Sequence, residues 1–210
     1  MKKYILSFAL ILPLALFSQE IDIRGYGGIG LIGLTSQKDL VTINNLDYKL
    51  NIGATPLVQL GAALTLGNKF YIQPGVAWQR IVLEITKTET FGEKKKFEEE
   101  YNLSMITFPL KAGVRLLDAE KFENTNVRLF GGFDGQVITG LKETKVSNLN
   151  DLEKADFNKL ITYGEFGMGV DLFFLFADVG YRIGLNPILN SGNPSRASTL
   201  YSNIGIRINL

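Results

Sequence analysis

Tyr163 to Leu185 reads Y-G-E-F-G-M-G-V-D-L-F-F-L-F-A-D-V-G-Y-R-I-G-L, and its alternation decides the fold. Phe166, Met168, Val170 and Leu172 take the even positions, with Glu165, Gly167, Gly169 and Asp171 between them. In the second half the parity flips. Leu175, Ala177, Val179, Tyr181, Ile183 and Leu185 are apolar, and Phe176, Asp178, Gly180, Arg182 and Gly184 fall between. Successive side chains of a strand point to opposite faces, so this period of two belongs to strands that meet a different environment on each side. Two such runs joined by almost nothing make a hairpin. One face is continuously apolar. The other carries acids, an arginine and glycines.

The same pattern extends in both directions and gives about eight alternating segments. The first, about 21–34, sets Ile23, Ile29 and Leu31 against Asp22, Arg24 and Tyr26. The second, about 55–66, sets Val58, Leu60 and Leu64 against Gln59, Gly61 and Thr65. The third starts at Phe70 with Ile72, Pro74, Val76 and Trp78 on one parity. Near Arg80 the apolar set changes to Ile81, Leu83 and Ile85, which predicts a β-bulge there. Pro74 lacks a ladder donor and predicts a second irregularity. The fourth, about 103–116, sets Ile106, Phe108 and Leu110 against Thr107, Lys111 and Arg115. The fifth, about 126–139, sets Leu129, Phe133 and Val137 against Arg128, Asp134 and Gln136. The hairpin supplies the sixth and seventh. The eighth, about 199–210, sets Ile204, Ile206 and Ile208 against Asn203, Gly205 and Arg207.

Connections alternate in length. Those at 67–69, 118–125 and 172–174 are short, and those at 35–54, 86–102, 140–160 and 186–198 are long. Short turns on one rim and long loops on the other are the pattern of an outer-membrane barrel. The expected fold is all-β: a closed antiparallel up-and-down transmembrane barrel of about eight strands, residues 20–210. Closure is required because lipid satisfies no backbone hydrogen bond and tolerates no free sheet edge.

A signal peptide is expected over residues 1–19. Lys2 and Lys3 form a basic start, Tyr4 to Phe17 an apolar stretch, and Ser18-Gln19-Glu20 a cleavage zone. The apolar run is shorter than the ~20 residues of a spanning helix. Export through a Sec-type signal to the outer membrane of a Gram-negative cell follows as the expected localisation.

Composition removes several functions. The chain has 210 residues, no His and no Cys. Histidine triads, histidine bases, thiolate metal sites and disulfides are therefore excluded. Lys+Arg at 22 against Asp+Glu at 21 gives no argument for nucleic acid as a partner. No cofactor or metal is expected.

The charges of the polar face nearly balance. Arg24, Lys111, Arg115, Arg128, Arg182 and Arg207 stand beside Asp134, Glu165, Asp171 and Asp178, with Asp22. A confined interior requires such balance, because a buried unpaired charge is costly. These ten side chains are the expected lumen network, filling an eight-stranded interior that is only wide enough for side chains. Leu175, Val179, Ile183, Ile204, Ile206 and Ile208 are expected toward lipid. Phe70, Phe173 and Phe174 on one rim, and Tyr101 and Tyr163 on the other, are expected as aromatic girdles. Two other readings stay open: a narrow channel for small polar solutes, and a soluble exported barrel that binds an apolar ligand.

The chain resembles the PorT-like outer-membrane β-barrel family. The residues that carry the likeness are the signal peptide, Ile106-Thr107-Phe108-Pro109-Leu110-Lys111, Gly167-Met168-Gly169-Val170-Asp171-Leu172 running into Asp178 to Leu185, and Asn203 to Ile208. It spans the mature chain and implies a barrel with no assigned chemistry. The terminal Leu210 departs from the Phe or Trp that often ends such barrels.

Other motifs are read against their surroundings. Gly25, Gly27 and Gly30 fit G-x-G-x-x-G, but strand-like Leu31-Ile32-Gly33-Leu34 follows where a dinucleotide site needs a helix. Glu165, Asp171 and Asp178 are better read as ion-pair partners than as an acid–base or metal cluster. Asn150-Asp151-Leu152-Glu153 fits a capping box, so a short helix is possible in the third long loop. A protein partner, if the chain has one, is expected at the long loops.

Overall fold

A computed structural model of the chain describes residues 21–34, 40–43, 46–49, 55–88, 96–117, 125–145, 158–188 and 196–210. The expected signal peptide at 1–19 and the capping box at Asn150 to Glu153 lie outside the described residues. Among the described residues ten strands are present: β1 (Ile21–Leu34), β2 (Leu40–Ile43), β3 (Leu46–Lys49), β4 (Thr55–Leu66), β5 (Phe70–Thr88), β6 (Lys96–Arg115), β7 (Thr125–Lys145), β8 (Leu160–Leu172), β9 (Leu175–Gly184) and β10 (Ala197–Asn209). Eight of them close into one antiparallel barrel in the order β1-β10-β9-β8-β7-β6-β5-β4. The other two, β2 and β3, pair with each other inside the first long connection.

The opening hairpin is β8 and β9. Its turn is Phe173-Phe174, and Phe173 takes a positive φ of 54°. At the β4–β5 turn the same left-handed region is occupied by Gly67, φ 118°, the residue that adopts it without a Cβ clash. Closure is made by β1 against β10 in unbroken register from Asp22↔Asn209 to Leu34↔Ala197. The G-x-G-x-x-G glycines lie inside β1 and pair on both sides, so no helix starts there and the dinucleotide reading has no footing.

Alternation sorts the faces. Ile29, Leu60, Phe133, Val179, Ile204 and Ile206 are exposed on the outside, while Asp22, Arg24, Arg128, Asp171 and Arg182 are buried inside. A soluble barrel with its apolar face turned inward along these strands is therefore not what the chain builds. Phe70, Phe173 and Phe174 lie exposed at the short-turn rim.

Three expectations fail. No bulge occurs at Arg80: β5 keeps a single register with β4 from Leu57↔Ile81 to Leu66↔Ile72, and with β6 from Phe70↔Val114 to Thr88↔Lys96. Around Pro74 the β5–β6 ladder skips two residues and resumes in the same register. The irregularities lie instead between β6 and β7, at Glu100/Tyr101 and Ser104/Met105. Near the second, Thr139 Oγ1 donates to the Ser104 carbonyl at 3.1 Å.

Second, Tyr101 and Tyr163 are no girdle. Each is 1% exposed and points into the barrel. They join Ile32, Leu57, Ile81, Leu103, Met105, Ile138 and Ile161 in an apolar cluster at the long-connection end. Third, much of the second long loop is strand. Here β5, β6 and β7 run on past the last β4–β5 pair at Leu57↔Ile81 and the last β7–β8 pair at Val137↔Leu160. The sequence of these extensions is dense in charge and so reads as loop.

Candidate functional site

The interior is built in layers, because each strand delivers every second residue to the lumen. At the short-turn end the centre is Asp171 on β8. Its two oxygens accept from Arg24 Nη1 at 2.9 Å and Nη2 at 3.1 Å. Arg128 Nε lies 3.0 Å away and Arg207 Nη1 3.5 Å. Arg24 Nε donates to Thr65 at 2.9 Å. Asp22 accepts from Arg115 Nη2 at 2.8 Å and from Arg24 at 3.1 Å, and Asp178 from Arg128 Nη2 at 2.7 Å. Arg207 Nε caps the turn by donating to the Phe173 carbonyl at 2.7 Å.

One layer up, Lys111 Nζ sits 3.1 Å from Glu165. Arg182 Nε lies 3.3 Å from Asp134 and 3.9 Å from Glu165. Tyr201 donates its hydroxyl to Glu165 and accepts from Lys111 at 3.3 Å. Gln136 donates to Asp134 at 2.8 Å, and Arg182 Nη1 to Gln79 at 3.1 Å. Gln59 accepts from Arg182 and donates to Asn203.

Aromatic rings separate the charges. Arg24 lies 4.9 Å from the Phe176 ring centroid, Lys111 4.5 Å from Phe130 and Arg182 4.5 Å from Tyr201. Glycine makes room for them. A Cβ at Gly180 would collide with the Tyr201 ring, and one at Gly113 with Tyr71.

Above this, the apolar cluster fills the barrel and Ile188, from the β9–β10 connection, packs into it. Its segment is tied to β8. Asn158 N donates to the Ile188 carbonyl at 2.8 Å and Asn158 Nδ2 to the Pro187 carbonyl at 2.6 Å. Asn186 accepts from Thr162 N at 2.7 Å and donates to the Leu160 carbonyl at 2.8 Å.

All ten side chains singled out from the sequence are inside and less than a tenth exposed. Glu165, Asp171 and Asp178 do not form one cluster. Glu165 belongs to the middle layer, and the two aspartates to the short-turn layer, each against a guanidinium. Among the described residues no group of acids is arranged to hold a metal ion. Sequence reading put Gln59 and Asn203 on the polar face but left them, with Gln79 and Tyr201, out of the network. Their signal was there, since they share parity with the charged residues. It also missed Ile188, which sits in no alternating run.

Residues 17–190 match the family described as outer membrane protein beta-barrel domain. No curated protein matches the chain in sequence. Among solved structures it is similar to the translocator domain of the autotransporter NalP from Neisseria meningitidis, with 12% identity and TM-score 0.40, covering 99% of this chain and 98% of that one. It is also similar to Ail, the attachment invasion locus protein of Yersinia pestis, with 12% identity and TM-score 0.37, covering 90% and 97%. Neisserial surface protein A matches at 10% identity and TM-score 0.41, covering 89% and 96%.

Proposed function

The chain belongs to the outer membrane protein β-barrel domain family, and from that premise we propose that it is a sealed, non-catalytic barrel of the outer membrane. In this reading residues 1–19 are a Sec-type signal peptide and are removed. The short-turn rim and both termini face the periplasm. The long-connection rim faces outward and is the surface for a protein partner, and the PorT-like branch is the fitting subdivision of the family. The ten lumen charges, Arg24, Lys111, Arg115, Arg128, Asp134, Glu165, Asp171, Asp178, Arg182 and Arg207, serve as internal ion pairs.

The observation that carries this is the doubly filled lumen: an ion-paired half and an apolar half, the latter with Ile188 packed into it. The lumen carboxylates Asp22, Asp134, Glu165, Asp171 and Asp178 are each engaged by a cation, so none of these five is poised for acid–base work. Planar-bilayer recording of the mature protein tests it. We expect no single-channel steps. Stable steps would replace the sealed barrel with the narrow channel for polar solutes.

A further inference from the structure

A change of face on β7 builds one patch of the outer wall. Leu129, Phe133 and Val137 point outward, and Ile138 points in. Met105 pairs with Ile138 and Ser104 with Gly140, which leaves Thr139 as the extra residue of a bulge. Beyond it the parity is reversed. Leu141 packs against the apolar cluster inside, and Lys142 is exposed. In an unbroken ladder Lys142 would point into that cluster. A bulge re-aims the side chains that follow it, and this one puts a cation on the wall.

The ladder brings a second cation alongside. Three outward rows cross β5, β6 and β7. The lowest is Trp78, Ile106 and Val137, directly opposite one another and all apolar. Next come Arg80, Ser104 and Gly140, then Val82, Asn102 and Lys142. Arg80 is exposed and reaches up one row, where its Nε and Nη2 donate to Asn102 Oδ1 at 3.2 and 2.9 Å. Its guanidinium thus lies beside the residue directly opposite Lys142. Facing residues hold their Cβ atoms ~4.5–5.5 Å apart, so both cations reach one phosphate. Gly140 leaves the wall open below them, since a Cβ there would meet only the Ser104 Cβ, at 3.7 Å. Acids enter one row higher, where Glu84 and Lys145 both stand opposite Glu100. The order up the wall is apolar, then cationic, then mixed. A lipid laid along a wall has that order too, acyl chain first and phosphate next, whereas a soluble anion has no use for the apolar row.

We propose that the outer face of β5, β6 and β7 holds one lipid by its anionic phosphate headgroup, with Arg80 and Lys142 on the phosphate and an acyl chain along Trp78, Ile106 and Val137. Charge-assisted hydrogen bonds from guanidinium and ammonium to phosphate are of the strong kind, and tryptophan suits the level where chain meets headgroup. The site rests on the reading of the chain as a membrane barrel and adds a headgroup preference to it.

Trp78 is the chain's single tryptophan and stands in the apolar row, so its fluorescence reports which lipid lies there. The mature barrel is refolded into phosphatidylcholine vesicles that contain phosphatidic acid, with quenching bromine on the acyl chains of one lipid or of the other. At equal mole fraction, brominated phosphatidic acid is expected to quench Trp78 as a lipid enriched beside it. The enrichment is about fivefold for each cation engaged, the size of one basic side chain at an anionic surface. Arg80→Gln and Lys142→Gln are each expected to lower the preference about fivefold, and the double variant to abolish it, with folding into vesicles unchanged. Lys69→Gln removes an exposed cation at the short-turn rim and is expected to leave the preference as it was. Quenching by both lipids without preference, or a preference that all three single variants lower alike, would overturn the headgroup site and leave the membrane barrel standing. So would loss of the preference on adding inorganic phosphate at constant ionic strength, the mark of a free-anion site. A chain that stays out of the vesicles and is quenched by neither lipid would overturn the membrane reading and the site together.

Discussion

The two halves of the lumen are filled in opposite ways by the same eight strands. At the short-turn end the interior is charged and the exterior apolar, as with Arg24 inside and Ile23 outside. At the long-connection end the interior is apolar, and on β5 and β6 polar side chains appear on the exterior. On β5, Ile81 is buried inside, while Arg80 outside donates to Asn102 at 2.9 Å across the surface. β5 does not change register with either neighbour between these regions. What changes on β5 is which face of the wall carries the polar side chains, the exchange expected where a barrel strand leaves lipid for water.

This contrast can be broken at its most sensitive point, Asp171. Asp171→Asn leaves three guanidiniums short of a carboxylate and is expected to cost ~3–5 kcal/mol, the penalty of a broken buried pair. Urea unfolding in lipid vesicles measures it, and a loss near zero would mean that the lower lumen is solvated. On the opposite side of the wall, Val179→Arg is expected to cost ~2–4 kcal/mol if the side chain faces mid-bilayer. An unchanged yield of folded barrel in vesicles would show that Val179 does not contact lipid.

A double-mutant cycle sharpens the middle layer. Glu165→Leu alone strands Lys111, whereas Lys111→Met with Glu165→Leu removes both members of the closer pair. The double variant is expected to recover ~1–2 kcal/mol of the single variant's loss, within the range for directly coupled residues. Strict additivity in the same unfolding series would show that the pair is not coupled. In the apolar half only volume counts. Ile81→Val is expected to cost ~0.5–1.5 kcal/mol, with no dependence on salt. A salt-dependent loss would mean that ions reach the upper interior.

Alternation made most of the barrel wall legible. It identified the eight barrel strands, the short turns and the inward parity of all ten network residues. It could not say which environment each parity meets. At Arg80 the polarity of the two faces exchanges without any change in backbone, and a pattern of two reads that exchange as a bulge. Tyr101 and Tyr163 were misplaced for the same reason. A tyrosine near a strand end fits a membrane interface and a soluble core equally well, and only the ladder shows that it points inward. The layers were illegible for a different reason. Arg24 and Asp171 are 147 positions apart and meet only because the barrel closes. Ile188 acts through Asn186 and Asn158, polar residues that look like ordinary loop.

Closure through β1 and β10 has a kinetic consequence. The first and last strands of the barrel are neighbours, so the final ladder cannot form until the whole chain is delivered. Contacts of such long sequence separation carry their loop-closure cost before any reward. Until β10 docks, Arg24 and Asp171 face an open sheet and its charges remain hydrated. Burial of the network and completion of the wall are then one event, and the same ion pairs that fill the finished barrel also penalise every half-closed sheet that enters lipid.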